Sequence, residues 1–213
     1  MIKEVISIPL SGLKLDAELV IPKNAVGIVV FSHGSGSSRL SPRNKFVASV
    51  MHQHHLATLL VDLLTIEEDK LYENRFDIDL ISGRLIQITN WLNDDERTKK
   101  LNIGYFGAST GAASALRAAS FIGKGVKCIV SRGGRPDLAI ECLEKIKIPI
   151  LFIVGELDKE VLDLNKTAML HLHATKAMEI IPEATHLFEE KGTLEQVAEL
   201  AAMWYDKYLR DTQ

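Results

Sequence analysis

Residues 103–111 read Ile103-Gly104-Tyr105-Phe106-Gly107-Ala108-Ser109-Thr110-Gly111. The mainly apolar run 103–106 predicts a buried strand, and the alanine-rich segment 110–122 predicts a helix. Between them the chain must turn sharply at Ser109. Such a strand–turn–helix forces its central residue to φ above zero, and the flanking glycines relieve crowding against the neighbouring strand and helix. The serine hydroxyl then projects above the sheet, while the N–H groups opening the next helix point towards any anion formed beside it. As a mere helix N-cap, Ser109 would leave both glycines without a purpose.

Outward from this stretch, runs 26–31, 58–62, 126–130, 150–154 and 178–181 are also largely apolar, the pattern of strands covered on both faces. Helix-length segments lie between and around them at 42–55, 77–93, 137–143 and 161–171. A last helix starts at Thr193, where Thr193 and Gln196 have capping-box spacing and Val197, Leu200, Ala201, Trp204 and Tyr208 form an apolar stripe. Segments 4–9 and 13–22, joined at Ser11-Gly12, alternate in part and predict an antiparallel hairpin at a sheet edge. The fold class is therefore α/β: a three-layer, doubly wound, mostly parallel sheet with an antiparallel N-terminal edge. No repeat or linker divides the chain, so residues 1–213 are expected to form one domain with no cap domain inserted.

Composition agrees. The chain has 213 residues, 46% of them hydrophobic, enough for one substantial core. A net charge of -3 gives no field for holding nucleic acid. The N-terminus reads as a strand rather than a signal peptide, and no run approaches the ~18 apolar residues of a membrane span. Two cysteines, Cys128 and Cys142, stand outside any ligand spacing and are expected to be buried thiols. These features predict a cytoplasmic protein that meets neither nucleic acid nor membrane, as a monomer or homodimer.

A serine hydroxyl needs a base to become a nucleophile, and the base needs an orienting group. After the strand at 150–154 comes Gly155-Glu156-Leu157-Asp158, and after the strand ending at Ile181 comes Pro182-Glu183-Ala184-Thr185-His186. Both loops leave carboxyl ends of parallel strands, the edge at which Ser109 emerges. The candidate triad is Ser109, His186 and Asp158, with Glu156 and Asp163 as rival acids. After the strand at 26–31, Ser32-His33-Gly34-Ser35-Gly36-Ser37-Ser38 supplies a glycine-rich turn, and the N–H groups of Ser35 and Thr110 are the expected oxyanion hole.

These four motifs, HGSGSS, GASTG, GELD and ATHLF, in this order, resemble the α/β-hydrolase superfamily. Small size, the absence of a cap and the HLF ending are most similar to the dienelactone hydrolase-like group. The resemblance covers nearly the whole chain and implies cofactor-free cleavage of carboxylic esters or lactones through an acyl-serine. Dienelactone hydrolases proper carry cysteine as nucleophile and a glutamate in the oxyanion loop; here Ser109 and Gly34-Ser35 stand in those places.

Four arginines follow the expected site loops: Arg39 and Arg43 after the oxyanion loop, Arg132 and Arg135 in Ser-Arg-Gly-Gly-Arg. They are candidates for binding a carboxylate or phosphate on a small-molecule substrate, or else for ion pairs with nearby acids. The histidines of Met51-His52-Gln53-His54-His55, like His171 and His173, end helices and read as surface or capping residues, so no metal is expected. Two further functions compete. One is a dinucleotide fingerprint at Gly34-Ser35-Gly36 with Asp62, although Arg39 occupies its third glycine position. The other is a hydrolase-like binding module without turnover.

Overall fold

The computed structural model describes residues 1–210. Eight strands form one sheet: β1 (Ile2–Leu10), β2 (Leu13–Ile21), β3 (Gly27–Ser32), β4 (Leu56–Val61), β5 (Ile103–Ala108), β6 (Cys128–Arg132), β7 (Ile150–Gly155) and β8 (Lys176–Ile181), in the spatial order β1-β2-β4-β3-β5-β6-β7-β8. β1 and β2 pair antiparallel with each other, and β2 antiparallel with β4; all other pairs are parallel. The α/β class and the antiparallel edge are as expected, and no separate cap is seen among the described residues.

Strands β3 to β7 are buried along their whole length, because helices cover both faces. Alternate side chains serve separate apolar layers. Ile28 and Val30 of β3 face one layer, with Leu85 and Ile88 of α3 (Ile78–Asp94) and Leu116 of α4 (Thr110–Ile122). Val29 and Phe31 face the other, with Val47 and Met51 of α1 (Pro42–Gln53) and Val197, Ala201 and Tyr205 of α6 (Thr193–Leu209). The remaining helices are α2 (Ile66–Asp69) and α5 (Lys159–Leu170). Cys128 and Cys142 are buried free thiols, and burial pushes both thiol pKa values up.

Three local expectations are corrected. The segment expected as a helix at 137–143 is a 3-10 stretch, Pro136–Lys145, broken at Ala139 with φ -134; its bonds run over three residues, as from Leu138 N–H to the Arg135 carbonyl, a pattern that sustains only short pieces. The capping box at Thr193 is absent, because Gly192 at φ 82 takes the cap position and Thr193 opens the helix. A complete box lies instead at Thr65 and Glu68, which starts α2 in a segment that gave no periodic signal.

Candidate active site

Ser109 directly follows β5, with φ 52 and ψ -122. It occupies the N-cap position of α4, yet its side chain makes no capping hydrogen bond. Glycines make the turn feasible. A Cβ on Gly111 would lie 2.1 Å from the Ser32 carbonyl oxygen, and one on Gly107 would lie 2.4 Å from Ala112 Cα. The turn is held from its far side: Ser109 N–H donates to the Arg132 carbonyl at 3.2 Å, and Arg135 N–H donates to the Ser109 carbonyl at 3.1 Å.

His186 lies in the loop after β8, and its Nδ1 is 2.6 Å from Asp158 Oδ2. Of the three candidate acids, Asp158 is the one in contact with the imidazole. Glu156 instead accepts the Glu183 N–H, and Asp163 pairs with Lys166. Asp158 stands at the N-cap of α5 without capping it, so its carboxylate is left for the imidazole. The histidine loop is fastened by Glu190, which accepts from both the N–H and the hydroxyl of Thr185; these bonds hold the Glu190 carboxyl below its usual range. Gly133, at φ 51, brings the two halves together. A Cβ there would sit 3.5 Å from the His186 ring, while the preceding residue, Arg132, holds the Ser109 N–H. Among the described residues the Ser109 hydroxyl and the imidazole share no hydrogen bond; such contacts commonly tighten only when substrate binds.

On the other side of Ser109 runs the loop after β3. Gly34 packs against Ser109, whose Cβ is 3.1 Å from where a Gly34 Cβ would be. Ser35 N–H donates to Thr110 Oγ1 at 2.9 Å, so the two residues expected to flank an oxyanion are tied to each other. His33 is the residue that sequence reasoning left without a task. Its Nδ1–H donates to the Gly34 carbonyl at 3.0 Å, and its Nε2 accepts the Leu63 N–H at 3.2 Å. Burial lowers its pKa, which keeps the ring neutral and able to do both. It therefore clamps the glycine-rich loop to the chain leaving β4. Only the position of His33 directly after a buried strand could have signalled this.

A cleft of about 190 Å³ opens beside the loop, lined among others by His33, Ser38, Asp62, Leu64, Thr65 and Asp69. Its outer wall is the stretch holding α2.

The four arginines divide. Arg39 faces Asp62 at 3.3 Å and Asp16 at 3.6 Å, and Arg135 grips Asp137 with two nitrogens at 2.9 and 2.7 Å. These two are committed to ion pairs. Arg43 donates from Nη1 to Glu189 at 2.9 Å. Among the described residues Arg132 is buried without a carboxylate partner. The helix-end histidines form specific contacts: His52 Nε2 lies 2.8 Å from Thr58 Oγ1, and His54 bridges α1 to Asp206 and Glu199 of α6. Among the described residues no group of three or more His, Cys, Asp or Glu is placed to hold a metal ion, and no helix is long and apolar enough to cross a membrane.

Residues 15–209 match the model of the dienelactone hydrolase family. The chain belongs to this family. Its fold is that of the α/β-hydrolases. A dienelactone hydrolase from Anabaena variabilis ATCC 29413 is 50% identical and superposes with a TM-score of 0.95 over 98% of both chains. Est1E from Butyrivibrio proteoclasticus shares 16% identity, with a TM-score of 0.82 over 95% of this chain and 98% of its own, a likeness of fold. A Mycobacterium tuberculosis (strain H37Rv) protein named "Putative phosphoribosyl transferase" is 50% identical over 202 residues, which are 95% of this chain and 44% of that protein. The chain thus spans less than half the length of this curated relative.

Proposed function

We propose that this family member is a serine hydrolase cleaving a small carboxylic ester, lactone or thioester, with Ser109 as nucleophile, His186 as general base and Asp158 as orienting acid. The observation that carries the reading is the 2.6 Å contact of His186 Nδ1 with Asp158, on a loop joined through Gly133 and Arg132 to a serine held at positive φ with an uncapped hydroxyl. The contact fixes the proton on Nδ1 and leaves Nε2 as the base.

As the Ser109 oxygen attacks the carbonyl carbon, Nε2 takes its proton. The oxyanion forms at the N-terminus of α4, where the Thr110 N–H is available and the helix dipole favours negative charge. Ser35 N–H is the second donor, released from Thr110 Oγ1 as the oxyanion arrives. When the carbon–oxygen or carbon–sulfur bond to the leaving group breaks, His186 returns the proton to that group. Water then attacks the acyl-serine, gives its proton to His186, and Ser109 departs as the hydroxyl.

Binding without turnover is disfavoured by the unused serine hydroxyl and the oriented imidazole. The dinucleotide reading is disfavoured by Asp62, whose carboxylate accepts the Arg39 N–H at 2.7 Å instead of facing a ribose. The mycobacterial relative raises phosphoribosyl transfer, but the residues gathered in this chain are those of acyl transfer.

A labelled fluorophosphonate tests the assignment. It should mark the native protein at Ser109 and leave Ser109→Ala unmarked, and that variant should lose roughly 10⁴-fold or more of the ester turnover. Labelling that persists in Ser109→Ala rejects the nucleophile.

A further inference from the structure

We propose that Arg132, with Arg43 beside it, forms a phosphate-binding subsite that takes a terminal phosphate group carried by the ester substrate. The inference rests on the hydrolase reading above and names the substrate class of the same site. Its first support is an unmatched charge. Arg132 is 8% exposed, and its Nε and Nη1 are buried with no hydrogen-bond partner among the described residues. A guanidinium cannot shed its charge at physiological pH, so burying one without an anion is strongly unfavourable. Two neighbours frame it. The Phe188 ring lies 5.6 Å from its Cζ, a contact that accepts a cation without neutralising it. The other neighbour is Arg43, a second cation whose own Nε is also buried and unpartnered. Burial and the Arg43 charge push the Arg132 pKa down to about 10, still well above neutrality.

The second support is position. The Arg132 carbonyl holds the Ser109 N–H, the next residue packs on the His186 ring, and Phe188 follows His186 by two residues. An anion held by Arg132 would therefore sit beside the reacting ester. The third support is donor number. Arg132 Nε, Arg132 Nη1 and Arg43 Nε are three unpartnered nitrogens on two cations. A carboxylate offers two oxygens and one charge, whereas a phosphate monoester offers three terminal oxygens and about two charges. Glu189, an exposed acid, satisfies one Arg43 nitrogen and none of these three.

Inorganic phosphate is titrated by calorimetry at fixed ionic strength into Ser109→Ala, and into Ser109→Ala carrying Arg132→Gln or Arg43→Gln. Succinate serves as the carboxylate probe. Ser109→Ala should bind phosphate more tightly than succinate, with the affinity falling roughly 10- to 100-fold in Arg132→Gln and less in Arg43→Gln. In parallel, native protein and Arg132→Gln are compared on matched p-nitrophenyl esters whose acyl chains end in methyl, carboxylate or phosphate. The ratio of kcat/KM for the phosphate ester over the methyl ester should drop by a similar factor in the variant. No phosphate binding by Ser109→Ala, or an unchanged ratio, overturns the subsite while Ser109-dependent hydrolysis still stands. Tighter succinate binding overturns the choice of phosphate. Arg132-dependent phosphate binding with no ester turned over by native protein upholds the subsite and rejects the hydrolase reading.

Discussion

The two flanks of Ser109 handle charge in opposite ways. On the flank next to β3 and β4, each cation has its acid: Arg39 meets Asp62 and Asp16, Arg75 meets Asp69 through two nitrogens, and Arg84 meets Glu68 at 2.6 Å. His33, in the same wall, is neutral and uses both ring nitrogens. On the flank next to β6 and β8, Arg135 pairs with Asp137, but among the described residues Arg132 is buried without an acid and Arg43 touches an exposed one. Burial of charge is the same physical act on both sides, but Arg39, Arg75 and Arg84 on the first flank each meet a carboxylate, whereas Arg132 on the second meets none among the described residues. A satisfied wall holds a loop in place, whereas an unsatisfied one is held ready for something from outside.

The largest expected effect breaks both flanks at once. Gly111→Ala would place a methyl group 2.1 Å from the Ser32 carbonyl and 2.5 Å from that of His33. Both obstacles are backbone, so the loop after β3 and the turn at Ser109 must separate. We expect a loss on the order of 4 kcal/mol or more, read by urea unfolding, with esterase activity gone. Gly36→Ala in the same loop is the contrast. Its φ of 69 is unfavourable, but nothing lies within 4 Å of the added carbon, so about 1 kcal/mol is expected. Asp158→Asn comes next and leaves the fold intact. An amide no longer enforces the Nδ1 proton on His186, and kcat should fall roughly 10⁴-fold with unfolding unchanged within about 1 kcal/mol.

The first flank and the elbow differ in how far they could be read from sequence. Gly107, Ser109 and Gly111 announce themselves because one local backbone geometry demands those residue types, and apolar runs announce buried strands for the same reason. Asp158 and His186 could be proposed from chain order, with Asp158 put ahead of Glu156; that Glu156 turns instead to the Glu183 N–H is set by the fold and not by spacing. The capping pattern at Thr193 failed because a left-handed glycine immediately before it took over the cap, a preference that no spacing rule carries. The arginines show the limit most plainly. Arg39, Arg43, Arg132 and Arg135 are equivalent letters in a sequence. What separates them is which acids stand within about 4 Å, and those acids are set by packing between distant segments, as with Arg39 and Asp16.

Stability measurements sharpen the comparison because the two flanks predict opposite signs. Arg39→Ala leaves Asp62 and Asp16 without their cation, and being partly exposed the pair should lose about 1 kcal/mol. Arg132→Met removes a buried charge that nothing in the protein answers, so stability in phosphate-free buffer should stay level or rise by about 1 kcal/mol. For a chain of this size that is roughly 2–4 °C in Tm in either direction. A fall in Arg132→Met as large as in Arg39→Ala would make the guanidinium a structural prop and erase the distinction between the flanks.

The smallest effect is a pH dependence, and two histidines supply opposite slopes. Burial lowers the His33 pKa below its ordinary value of 6.5, against the smaller pull of the Gly34 carbonyl. Between its folded and unfolded pKa values the unfolded chain binds more protons, so stability rises with pH. The His33 contribution is therefore complete above about pH 6.5 and erodes as pH falls towards the folded value. His54 runs the other way. Its hydrogen bond to Asp206 raises its pKa, so its contribution is complete below about pH 6.5 and is lost as pH rises through the folded value. Being near the surface, it should contribute less than about 1 kcal/mol. Urea unfolding of native protein, His33→Asn and His54→Gln from about pH 5 to about pH 8 separates them. The penalty of His33→Asn should grow towards pH 8, and that of His54→Gln towards pH 5. If the penalty of His33→Asn instead grew towards pH 5, His33 would be charged in the folded protein. The Leu63 N–H would then have lost its acceptor, and the first flank would carry an unmatched cation of its own.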